Sequence, residues 1–123
     1  MAEFLKTKDY ATGTFGKWHL GDAPPTAHGF DINLGGTNRG QPAAWFPPYQ
    51  NPALPDGPSG EFLTERLTAE VEEFVTKSKD RAVLVYFPHF AVHTPLGGKN
   101  EVIEKYKALQ GMISRRTIRC MRA

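Results

Sequence analysis

Between Glu61 and Lys79 the apolar positions Leu63, Leu67, Val71, Phe74 and Val75 recur at the three- and four-residue steps of a helix. Glu61 and Glu65 stand early in this stretch and Lys77 and Lys79 late, the arrangement that a helix dipole favours. The next segment loses that period. Ala82 to Phe87, "AVLVYF", is an unbroken apolar run, short, β-branched and closed by Pro88, and reads as a strand buried on both faces. A helix feeding a buried strand predicts a parallel sheet in an α/β layer fold.

Three weaker patterns complete the element reading. "AEFLKTKD" carries Phe4 and Leu5 as a short apolar patch on what reads as the last turns of a helix. "YATGTFG", of small and aromatic residues, predicts a strand running into the glycine-bracketed segment "GTFGKWHLGD". "NEVIEKYKAL" predicts a second helix, with Asn100 as N-cap and Val102, Tyr106 and Leu109 on one face. Residues 21–60 hold most of the prolines and many glycines, a composition expected to sustain neither helix nor central strand. A structureless segment of that length is more often functional or covered by a partner than idle. "QGMISRRTIRCMRA" carries four arginines in its last stretch with no periodicity, and no internal repeat is present.

Composition narrows the classes. With 123 residues, 40% of them hydrophobic, the chain reads as one globular unit or part of one. A formal charge of +2 is too small to argue for nucleic acid. No run reaches the roughly 18 apolar residues of a membrane span. Residues 1–20 lack the charged-then-apolar layout of a secretion signal. The single cysteine, Cys120, excludes an internal disulfide and a multi-cysteine zinc site.

Candidate chemistry concentrates at two places. Lys17 and His19 stand two apart, so on an extended strand both side chains leave one face while Trp18 packs on the other. An ammonium beside an imidazole suits an anionic group that also needs a proton moved. The same pair also reads as a surface lysine beside a hydrogen-bonded histidine at a strand end. His93, in "AVHTP", follows the C-terminal end of the buried strand, the edge where open α/β sheets bind ligands. Thr94 and Pro95 stiffen that loop. His89 reads as a packed ring rather than a ligand. With His28 and the other histidines it matches no compact zinc spacing, so no metal ligand is assigned. Asp31 reads as a turn or capping residue.

These segments, in order, resemble the sulfatase family, in particular arylsulfatase A-like enzymes of the alkaline-phosphatase-like fold. "YATGTFGKWHLG" is similar to the family's second signature, "HGFD" follows at the usual short distance, "EFLTERLTAEVEEF" is similar to its "YLTDRLTDEA" helix, and "YFPHFAVHTPL" to its "AVHTP" strand exit. The resemblance runs from about Ala2 to Leu109. It implies an α/β fold, part of an α/β/α sandwich with a mostly parallel sheet that is incomplete here. Residues 1–110 are then part of a sulfatase catalytic domain, and 111–123 an Arg-rich tail outside it.

The resemblance implies hydrolysis of sulfate esters, whether aryl sulfates or sulfated carbohydrates, with Lys17, His19 and His93 as catalytic residues. Lys17 and His93 would bind and orient the sulfate oxygens, and His19 would hydrogen-bond the hydroxyl of a formylglycine made from cysteine or serine. Calcium and formylglycine are the expected cofactors of the full-length family. Their ligands and the C-x-P-x-R or S-x-P-x-R nucleophile motif have no counterpart in this chain, and Cys120 in "RCMRA" does not supply one. The isolated chain is therefore expected not to hydrolyse sulfate esters, and its start and its tail suggest a truncated reading frame. Family members are often periplasmic, extracellular or lysosomal. Two other readings stand beside this one: a phosphodiesterase or phosphonate hydrolase of the same superfamily, and a non-catalytic fragment that binds sulfated glycans through Trp45, Phe46 and Tyr49.

Overall fold

The computed structural model describes residues 1–108. In chain order it contains α1 (Ala2–Lys6), β1 (Ala11–Phe15), a 3₁₀ turn (Pro25–His28), β2 (Ile32–Leu34), α2 (Leu63–Lys77), β3 (Val83–Tyr86) and α3 (Asn100–Ala108). The Arg-rich tail, and Leu109 of the second predicted helix, lie outside the described residues. Among those residues no helix is long and apolar enough to cross a membrane. The strands form one parallel sheet in the order β2-β1-β3, so the fold is α/β as expected. β1 aligns Gly13 to Phe15 with Ile32 to Leu34 on one side, and Ala11 to Thr14 with Val83 to Tyr86 on the other. Parallel pairing sends all three carboxyl ends to one edge.

The central, fully buried strand is β1, not the apolar run 82–87. β3 is only half-buried and Tyr86 is 40% exposed, because β3 pairs with β1 alone among the described residues and α2 covers one face of the sheet. β1 tolerates the centre because its side chains are small. Gly13 leaves room for the rings of Phe15 and Phe74, whose centroids lie 5.4 Å apart, and Val71, Val83 and Val85 close this layer. Thr12 and Thr14 point to the opposite face. Thr12 Oγ1 is engaged by Asp31 and lies 3.1 Å from Gly29 O, whereas the buried Thr14 Oγ1 has no partner among the described residues.

Residues 21–60 differ from the expectation of a structureless segment. They contain the 3₁₀ turn, β2 and part of a second core, in which Trp45, Tyr49 and Leu54 pack with Leu63, Leu67 and Phe90. Trp45 and Tyr49 are therefore not the contact surface of a glycan-binding loop. Their rings are consumed by packing, and half-buried Phe46 lies 5.5 Å from Phe62. Tyr49 also donates its hydroxyl to Glu61 Oε2 at 2.8 Å, and burial, reinforced by that carboxylate, pushes its phenol far above the usual range.

α2 buries Leu63, Leu67 and Phe74 as its period requires, but Val75 is 42% exposed. It stands about 100° round the helix from Phe74, past the edge of the buried stripe. Arg66, between Glu61 and Glu70, pairs with both. In α3 the carbonyl of Lys99 accepts the first helical N–H groups, from Val102 and Ile103, so Asn100 is the first helical residue rather than the cap. Val102 and Tyr106 are each 45% exposed, so the predicted apolar face is not covered by the described residues. Lys99 ties α3 to α2 through Glu65 at 2.8 Å.

Asp31 joins the starts of the two neighbouring strands. Its Oδ2 accepts from Thr12 N–H and Thr12 Oγ1, each at 3.0 Å, its own N–H donates to Thr12 O at 2.9 Å, and Oδ1 pairs with Lys6 at 2.7 Å. The Lys6 ammonium, aided by the Thr12 donors, holds this carboxyl below its ordinary range.

Two outcomes follow from this packing. Phe74→Ala should cost about 3–5 kcal/mol and Val75→Ala less than about 0.5 kcal/mol in urea unfolding, since only the first removes a buried ring. A carboxyl with a depressed folded pKa stabilises above its unfolded value and loses that contribution as pH falls through the folded one. The wild-type chain should therefore lose more stability than Asp31→Asn as the pH is lowered below about 4, in parallel denaturant series.

Candidate anion site at the strand exits

β1 stops at Phe15, and Gly16, at φ +109°, turns the chain. The turn is fixed from both sides: Gly16 N–H donates to Leu34 O and Lys17 N–H to Pro88 O, each at 2.8 Å. A Cβ on Gly16 would overlap the Pro88 carbonyl, so only glycine allows β1 to lie this close to the exit of β3. His19 then takes a left-handed φ of +55°. The expected extended strand, with Lys17 and His19 on one face and Trp18 on the other, is thus replaced by a turn, because Gly16 and His19 both break the two-residue period.

Trp18 anchors that turn. It is buried, donates Nε1–H to Ala23 O at 3.1 Å and meets the rings of His28, Phe30 and Tyr86 at 5.4, 6.1 and 6.2 Å. Burying an indole contributes about 4 kcal/mol on area grounds, against about 1–2 kcal/mol for one left-handed residue, so the packing wins. Lys17 is half-buried and has no acidic partner within ion-pair distance among the described residues, whereas Lys6 and Lys99 each do. His19 is exposed and its N–H donates to Thr37 O at 3.0 Å.

His93 belongs to the exit of β3. Phe90 is buried in the core before it, and Trp45 Nε1–H donates to Pro95 O at 2.7 Å after it. Between these anchors His93 is exposed, with its N–H donating to Phe90 O at 2.8 Å. Its Nδ1 lies 2.7 Å from Thr94 O. A carbonyl can only accept, so that contact places a proton on Nδ1 and leaves Nε2 for a ligand. His89 stacks on Phe87 at 4.2 Å, in line with the packing reading.

Lys17 and His19 therefore share the exit of β1, and the Lys17 backbone is bonded to the segment that leads to His93. All three residues lie beyond the carboxyl ends of parallel strands. Strand periodicity missed Thr37 and Gly40, which hold His19 from the exit of β2; neither carries a charge or a spacing that would mark it. A cleft of about 410 Å³ opens between Asp22, Asn33, Thr37, Asn38 and Pro52, and Lys17, His19 and His93 do not line it. His28 packs on Trp18, and Asp31 clamps strands rather than capping a turn or helix. No three His, Cys, Asp or Glu side chains among the described residues converge as metal ligands, so these residues do not fit the calcium site implied by the resemblance.

Comparison with known proteins gives this arrangement its family. The sulfatase family model matches residues 1–122. An uncharacterized sulfatase of Schizosaccharomyces pombe is 28% identical over 87% of this chain and 23% of its own length, and arylsulfatase J of Mus musculus is 29% identical over 91% and 22%. N-acetylgalactosamine-6-sulfatase of Sus scrofa is 43% identical over 47% of this chain and 11% of its own length. The chain thus spans less than a quarter of the curated relatives it matches. With that match over nearly all of its residues, the chain belongs to the sulfatase family.

Proposed function

We propose that this chain carries the sulfate-binding part of a sulfuric ester hydrolase, with Lys17 and His93 gripping the sulfate and His19 moving a proton beside it. The carrying observation is the bond from Lys17 N–H to Pro88 O, which ties the exit of β1, with a half-buried ammonium that has no acidic partner among the described residues, to the exit that bears His93. A sulfate ester is a monoanion whose leaving oxygen gains negative charge as the S–O bond breaks, so fixed cationic donors favour the transition state. Lys17 supplies one. His93 supplies a second through Nε2–H when its ring is charged, since Nδ1 is already engaged with Thr94 O. An imidazole, as at His19, is a side chain that can accept or donate a proton.

The substrate class is an aryl sulfate or a sulfated carbohydrate; the names arylsulfatase J and N-acetylgalactosamine-6-sulfatase among the relatives support both. The nucleophile and the calcium ligands are not among the residues that build this site, so the isolated chain binds sulfate without turning over an ester.

Titration of the 123-residue chain with inorganic sulfate, followed by amide NMR, tests this reading. Sulfate should shift the amides of residues 16–21 and 92–94, and Lys17→Ala or His93→Ala should weaken binding about tenfold or more, as loss of a charged hydrogen bond does. Equal affinity for phosphate would favour the phosphodiesterase reading. Release of sulfate from an aryl sulfate above a Lys17→Ala control would overturn the inactivity of the isolated chain, and sulfate shifts confined to other parts of the surface would overturn the assignment.

A further inference from the structure

The loop that leaves β2 touches His19 twice. Thr37 O accepts His19 N–H at 3.0 Å, and Gly40 lies against the imidazole, where an added Cβ would stand 2.6 Å from Nδ1, 2.7 Å from Cε1 and 3.2 Å from Cγ. Gly40 is buried, yet its φ is not in the left-handed region, so its backbone does not demand glycine. The neighbouring Gly35, at φ +90°, is a conformational glycine by contrast. What an added side chain at Gly40 would meet, and displace, is the ring of His19.

That ring needs such support. His19 is exposed and left-handed, so its neighbour Trp18 is held by the core while the imidazole itself is not. The loop's own turn is closed by Arg39 N–H donating to Thr37 Oγ1 at 3.2 Å, which sets the spacing between the carbonyl that holds the His19 backbone and the glycine that seats its ring. We infer that Thr37 to Gly40 is a positioning element for His19, with Gly40 a positioning residue that fixes the imidazole by leaving room for it. This rests on the proton-transfer role proposed above for His19. It adds that the exit of β2 takes part in the site without touching the sulfate.

The test uses the full chain with labelled histidine rings, in which His28, His89 and His93 are internal references. Gly40→Ala should shift the ring resonances of His19 and their pH midpoint, leave the other three histidines in place, and leave affinity for inorganic sulfate unchanged. Gly98→Ala, where an added Cβ would meet only Ile103 at 3.8 Å, should change none of these. Unmoved His19 resonances, or equal shifts in all four histidines, would overturn the proposal. If Gly40→Ala does not fold, Thr37→Val decides, since it removes the acceptor for Arg39 N–H without adding bulk beside the ring. A His19-specific shift sustains the proposal and its absence refutes it. Failure of the wild-type chain to bind sulfate would refute the sulfate site alone, because the ring readout needs no ligand.

Discussion

Parallel pairing on both sides of β1 is the constraint on which the site depends. A strand paired in parallel with two neighbours delivers its own exit and theirs to the same edge, so residues far apart in the chain arrive together without direct side-chain contact. Here the hydrogen bonding continues two residues past β1, with Gly16 N–H on Leu34 O and Lys17 N–H on Pro88 O. At the other end Asp31, Thr12 and Lys6 hold β1 and β2 in register. The register that aligns the strands therefore also places the cation.

Beyond the ladder, apolar packing replaces hydrogen bonding as the organising force. Trp18 is held between His28, Phe30 and Tyr86, and the two polar residues flanking it inherit its fixed position. The His93 loop is pinned in the same manner, by Phe90 on one side and by Trp45 reaching Pro95 on the other. Each chemical group is thus exposed or half-exposed next to a buried aromatic anchor. That arrangement keeps a charged or titratable side chain available to a ligand while its backbone stays fixed.

Much of the scaffold was legible before any coordinates. α2 declared itself by its helical period and charge order, and β3 by its short β-branched run, because both patterns follow from local geometry. β1 was legible as a strand but not as the central one, since "ATGTF" looks only moderately apolar and its small residues matter through what they let approach. β2, three residues between glycines, carries too little pattern to be read. Trp45 and Tyr49 were misread as a surface because aromatic residues in a proline-rich segment have no period to show which way they face.

By itself the sequence determined the candidate residues and the class: a lysine and a histidine in "GKWHLG", a histidine in "AVHTP", and a helix-then-strand order that predicts a parallel sheet. Those depend on residue identity and short spacing. Only the tertiary structure decided that Lys17 and His19 leave a turn rather than a strand, that the β1 and β3 exits are bonded together, and that Gly40 of a third exit lies against the His19 ring. The reason is physical. Left-handed turns, ladder bonds and the space around a ring are set by partners distant in sequence, and no local pattern encodes them.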